Sequence, residues 1–102
     1  MEWYNYLACF FAGAFLANAL PHFVHGVSGN KFPSPFAKPP GIGLSSALIN
    51  AIWGLFNFVV GFLLFNAGNL STTQPLTLVI FFAGATVMSI MLSINFQKKD
   101  KE

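Results

Sequence analysis

The sequence predicts an all-α membrane protein with three transmembrane helices, over about residues 4–25, 44–65 and 76–96, its N-terminus outside and its C-terminus cytoplasmic. Three observations predict it. Hydrophobic residues make up 55% of the 102-residue chain and charged residues 8%, whereas about a quarter of a soluble domain is charged. The apolar residues are gathered in blocks, with no Asp, Glu, Lys or Arg from Pro39 through Gln97. The 5 lysines stand in two groups, Lys31/Lys38 and Lys98/Lys99/Lys101, which follow the first and third blocks.

The first block, Tyr4 to Leu20, is broken only by Asn5 and Asn18, and an extra turn to Val24 lets it span. At a rise of about 1.5 Å per residue, helices of this length match a hydrocarbon core of about 30 Å. Lipid leaves their backbone groups no partner outside the helix itself. Trp3, Tyr4 and Tyr6 mark the outer interface, where amphipathic rings gather. Ala17-Asn18-Ala19 imitates a signal cleavage site, but Glu2 and no basic residue precede the block and Pro21 follows the candidate cut. It is therefore expected to stay as a helix.

Residues 26–43 read as a Pro/Gly-rich interfacial loop. Pro33, Pro35, Pro39 and Pro40 forbid a helix, and Phe32 and Phe36 would dip into the head groups beside Lys31 and Lys38. The second helix follows Gly41-Ile42-Gly43, with Ser45 or Ser46 as its cap. The third follows Ser71-Thr72-Thr73-Gln74-Pro75, Thr73 serving as cap and Pro75 fitting the first turn. Every lysine falls in the 26–43 loop or the 97–102 tail, and none in the N-terminus or the 66–75 connection. The positive-inside rule then makes the loop and the tail cytoplasmic. The whole chain, 1–102, reads as one transmembrane domain.

A net charge of +2 carried on span-flanking lysines excludes a nucleic-acid surface. The lone Cys9 excludes an intramolecular disulfide. The expected partners are instead the bilayer and other membrane helices, including further copies of this chain.

Between helices in lipid, small residues that permit close approach and polar residues that bond across the gap mark packing faces. In the second span Ala47, Asn50, Gly54, Asn57, Gly61, Leu64 and Gly68 form such a seam, with Leu48, Leu55, Phe58, Phe62 and Phe65 opposite. On the first span Ala14, Asn18, His22 and His25 share a face, and on the third so do Thr86, Ser89 and Ser93. With the first and third helices running inward and the second outward, Asn18, Asn50 and Ser89 should share one depth. The inner-leaflet half would then hold a polar cluster of Asn18, His22, Asn50, Ser89 and Ser93 under Trp53, whose indole would bond Asn50 or Asn57. Pro21 frees the Ala17 carbonyl, for which Asn50 is the expected partner.

His22-Phe23-Val24-His25 has metal-ligand spacing, so the two imidazoles are candidate ligands for a metal or, across a symmetric oligomer, a haem. A zinc site needs more ligands than these two, and the capping of helix-end carbonyls is the plainer use of both rings. No cofactor is therefore expected. The absence of a carboxylate from every span argues against a proton-coupled exporter, and the absence of a His/acid pair and of a nucleophile elbow argues against an enzyme.

The stretch from Asn18 through Pro21, His22, Gly26, Gly29 and Phe32 to Phe36, with Gly41-Ile42-Gly43 and Trp53-Gly54-Leu55-Phe56-Asn57, resembles the signature of small uncharacterised multi-pass bacterial membrane proteins. The resemblance implies a bacterial inner-membrane location and no mechanism. On residues alone the first expectation is a structural or accessory protein working by helix packing, as a homo-oligomer or a subunit of a larger membrane complex. The alternative is a passive pathway or binding site for a small neutral solute or a lipid-like ligand, centred on Asn18, His22, Asn50 and Trp53. Haem or metal binding through His22 and His25 comes third.

Overall fold

The chain's computed structural model describes residues 2–69 and 74–100. Helix α1 (Trp3–Val27) starts where the Asn5 Oδ1 accepts the Glu2 N–H at 3.0 Å, and it continues through Pro21. Helix α2 (Ala47–Ala67) starts at Ser46, whose Oγ accepts the Ile49 N–H at 3.2 Å. Helix α3 (Pro75–Phe96) places Pro75 in its first turn, where an N–H would lack an intrahelical partner anyway. The expected Thr73 cap lies outside the described residues. All three helices are long and apolar enough to cross a membrane.

The second helix begins later than the sequence suggested. Leu44–Ser45 form a short strand, β2, antiparallel to β1 (Phe32–Pro33) with Phe32 opposite Ser45 and Pro33 opposite Leu44. This pairing uses the backbone that would have been the first turn of α2. It moves the start of that helix about one turn away from the expected Leu44.

Helix α1 is the shared partner of the bundle. α2 and α3 each pack along it, and among the described residues they form no comparable interface with each other. The buried faces are built of small and polar residues: Cys9, Ala12, Gly13, Ala14, Ala19 and His22 on α1; Asn50, Gly54, Asn57 and Gly61 on α2; Thr77 and Gly84 on α3. Large apolar side chains point outward, Leu48 at 69% and Val79 at 63% exposure among them. A water-soluble bundle would reverse this arrangement, whereas lipid selects it because tails solvate Leu and Val as well as a protein core does.

The seam on α2 runs where the sequence placed it, and α1 fills it within the same chain. A β-carbon on Gly54 would stand 2.7 Å from Phe23, one on Gly61 2.7 Å from Leu16 and one on Gly68 2.6 Å from the Cys9 sulfur. Ala47, the first seam residue, is half-buried. The α1–α3 contact rests on a pair that sequence reading did not single out. Side chains at Gly13 and Gly84 would collide with the carbonyl oxygens of Phe81 and Phe10. At the far end from the hairpin the Asn5 amide donates to the Ala67 carbonyl at 2.9 Å and the Cys9 thiol to the Gly68 carbonyl at 3.4 Å, so α1 side chains cap the last turn of α2.

The loop between α1 and α2 is folded over the end of the bundle and does not lie open along an interface. Phe32, expected among head groups, is 5% exposed and packs on His22, His25 and Phe96. Phe36 is exposed but sets its ring edge-on against Trp53 at 5.3 Å. The cap closes through the Ser34–Ser45 hydroxyl pair at 2.6 Å, and the Gly43 backbone lies so near the Lys38 carbonyl that no β-carbon would fit. The end of α3 clasps it: the Asn95 amide donates to the Gly41 carbonyl at 3.0 Å and the Asp100 N–H to the Ile42 carbonyl at 2.9 Å. Lys31, Lys38, Lys98 and Lys99 therefore stand at one end of the molecule.

Candidate functional site

Under this cap the polar residues of the helices meet in two tiers. The tier nearer the loop is centred on Asn50, which is fully buried. Its Nδ2 lies 2.8 Å from the Phe32 carbonyl, 3.0 Å from that of Ser46 and 3.3 Å from that of Ser45, so two amide hydrogens serve three acceptors. Those carbonyls fix which end of the carboxamide is nitrogen. The oxygen therefore faces the Nδ1 of His22, 2.9 Å away, and that ring nitrogen must be the donor. In its neutral form His22 then carries its lone pair at Nε2.

The second tier lies one to two turns deeper. The Asn18 amide donates to the Asn57 Oδ1 at 2.9 Å, and the Asn57 amide donates to the Trp53 backbone carbonyl at 2.8 Å. The one-depth expectation is corrected here: because α2 starts at Ala47, Asn50 is level with His22, and Asn57 takes the position level with Asn18. Two further expectations fail because the Asn50 carboxamide is fully engaged. Its nitrogen goes to the cap rather than to the Ala17 carbonyl, and both amide oxygens are taken, by His22 and Asn18, so neither reaches the Trp53 indole. The Trp53 Nε1 is sealed from solvent with no partner among the described residues.

Ser89 and Ser93, expected in the cluster, are exposed, and the Ser89 hydroxyl donates to the Ala85 carbonyl of its own helix at 2.7 Å. Thr86 is exposed on the same stripe. A helical serine can satisfy itself in this way, so it marks a packing face less reliably than an asparagine does. The histidines have separate surroundings. His25 stacks on Phe32 with centroids 4.2 Å apart, its Nδ1 sealed and unpartnered, while His22 meets the edges of Phe32, Trp53 and Phe96. Among the described residues no group of three or more His, Cys, Asp and Glu gathers where a metal could bind.

Two cavities adjoin this cluster and share Asn18 and Trp53. One, of about 290 Å³, lies under the cap between His22, Ser34, Asn95 and Phe96. The other, about 510 Å³, is the cleft between α2 and α3 over α1, walled by Phe10, Phe15, Asn57, Val87, Met88 and Met91. A hollow of about 570 Å³ on the other flank of Trp53, between Phe36, Ile49, Ile52 and Phe56, has no side-chain hydrogen-bonding group besides the sealed indole. Asn95, Ser34 and Phe96 are site residues that sequence reading missed. The loop's fold back onto α3 brings them in, and no spacing in the chain announces it. Comparison with known protein families, curated proteins and solved structures finds no match.

Asn50→Leu should strip hydrogen bonds from the Phe32 and Ser46 carbonyls and from His22, at about 1–3 kcal/mol for each buried group left unpaired. The cap then loosens, and cleavage by trypsin after Lys31 in detergent is expected to accelerate well beyond that of the Asn57→Leu protein. Equal rates would show that Asn50 does not anchor the cap.

Proposed function

We propose that this chain is a multi-pass protein of the bacterial inner membrane, N-terminus outside and C-terminus cytoplasmic, that binds a lipid-like amphiphile in the inner-leaflet half of its bundle. One observation carries the ligand reading: the apolar cleft over α1 and the cavity under the cap lie side by side, with Asn18 and Trp53 on the wall of both. An acyl or isoprenoid chain fits walls of Phe and Met, the latter a side chain that adapts to irregular shapes. A polar head fits beside His22 and Asn95. Because α1 fills the α2 seam within the same chain, that seam calls for no second protein, which favours the amphiphile reading over the accessory one. Location and orientation rest on the lysine distribution and on the sequence resemblance.

A packing role retains one specific support. Thr86, Ser89 and Ser93 form an exposed stripe on α3, whose other exposed positions are mostly large and apolar, and that stripe is the surface a further copy or another membrane subunit would take.

Native mass spectrometry from a mild detergent should find one amphiphile on each chain. Val87→Phe, at an exposed position on the cleft wall, should lose it while keeping its unfolding temperature. A wild-type chain that carries no adduct, and gains none when membrane lipids are added back, would sink the reading. For orientation, a membrane-impermeant maleimide added to intact spheroplasts should label Asn66→Cys and not Lys31→Cys, both on a Cys9→Ser background; the reverse pattern inverts the topology. For the packing role, Thr86→Leu with Ser89→Leu should shift the chain to a smaller species in size-exclusion chromatography, and unchanged elution would remove α3 as the contact.

A further inference from the structure

The polar side chains around the cavity under the cap keep hydrogen-bonding capacity that the fold does not use. The Asn18 nitrogen is held by the Asn57 oxygen, the Asn95 nitrogen by the Gly41 carbonyl, and the His22 Nδ1 by Asn50. The Ser34 hydroxyl is paired with that of Ser45 and also accepts the Phe36 N–H at 3.1 Å. Among the described residues three side-chain acceptors of the lining residues have no partner, His22 Nε2, Asn18 Oδ1 and Asn95 Oδ1, and the Asn18 and Asn95 amides each keep one N–H besides the bond they make. Neither the His22 nor the Asn18 atom is among the sealed unpartnered groups, although His22 is only 3% exposed. The Trp53 indole N–H, without a partner among the described residues, is sealed and out of reach of a ligand. No Lys, Arg, Asp or Glu lines the cavity.

Resting on the reading of the cleft as an amphiphile site, we infer that it selects an uncharged amphiphile whose head donates hydrogen bonds, a hydroxyl head of the glycerol type. A carboxylate or phosphate head would bring more acceptors against the three already there and find no cation. An ammonium head would be taken out of water without a counter-charge. An ester or ketone head offers no proton to His22 Nε2. The two hydroxyls of such a head can donate to His22 Nε2 and to one amide oxygen while accepting from an amide N–H, and leaving the buried His22 acceptor unpaired is the costlier alternative on which such discrimination rests.

The test compares three amphiphiles carrying the same brominated stearoyl chain, a monoacylglycerol, a methyl ester and a free fatty acid, as quenchers of Trp53 fluorescence. The Trp3→Phe protein in phosphatidylcholine nanodiscs serves, since Trp53 is then the sole tryptophan. The monoacylglycerol should quench at about tenfold lower mole fraction than either other compound. His22→Phe should bring the three curves together without abolishing quenching. Equal quenching by all three in the Trp3→Phe protein, or stronger quenching by the acid or ester, overturns the head-group inference and leaves the cleft reading standing. If no compound quenches beyond the level seen with the cleft-filling Val87→Phe variant added, the cleft reading falls and the inference falls with it.

Discussion

The Asn50 carboxamide is the interaction on which the rest of the structure depends. It is fully buried on a helix apolar enough to cross a membrane, and its hydrogen-bonding capacity joins three parts of the chain: His22 of α1, the start of α2 at Ser45 and Ser46, and β1 at Phe32. Phe32, Ser45 and Asn50 are buried, so the carbonyls at this strand pair are cut off from water and a side chain takes its place. Asn suits this position because it donates and accepts from one short planar group, which Asp, Leu or Ser would not do here. The same bonds set the tautomer of His22 and, through the fold of the cap, bring Asn95 and Phe96 beside it.

Around that point the bundle is held by close approach more than by apolar burial. Gly54, Gly61 and Gly68 admit α1 to the surface of α2, and Gly13 and Gly84 bring the α1 and α3 backbones together where any side chain would strike a carbonyl. Lipid removes most of the hydrophobic drive for helix association, so dispersion across these short distances and the Asn18–Asn57 bond carry the packing. Because among the described residues α1 alone contacts both neighbours along their length, α2 and α3 leave a cleft between them over it. The same geometry that gives a stable three-helix unit thus gives it a concave face.

The polar residues divide by how much of their capacity the fold takes up. Asn50 and Asn57 bond through both the nitrogen and the oxygen of their carboxamides and serve the architecture, whereas His22 and Asn18 are each held by one atom and keep another unbonded among the described residues. A residue of the second kind is positioned without being satisfied, as a ligand-binding group must be. This division underlies the proposed amphiphile site and shifts its centre from the expected set of six residues to Asn18, His22, Asn95 and the Trp53 ring.

The sequence by itself determined the three apolar helices, the run of small residues on one face of α2, a serine cap at Ser45 or Ser46 and the placing of the lysines at two points along the chain. These follow from local composition and from period, which a solvent as uniform as lipid enforces residue by residue. Tertiary structure alone decided that the 26–43 loop folds back as a cap, that Asn50 pairs with His22 and not with the depth of Asn18, that Ser89 and Ser93 turn outward, and that Gly13 and Gly84 mark the α1–α3 crossing. Each of these depends on a partner far away in the chain. The polar groups of a helix can be satisfied by its own backbone, by a neighbour or by a loop, and only the packed arrangement says which.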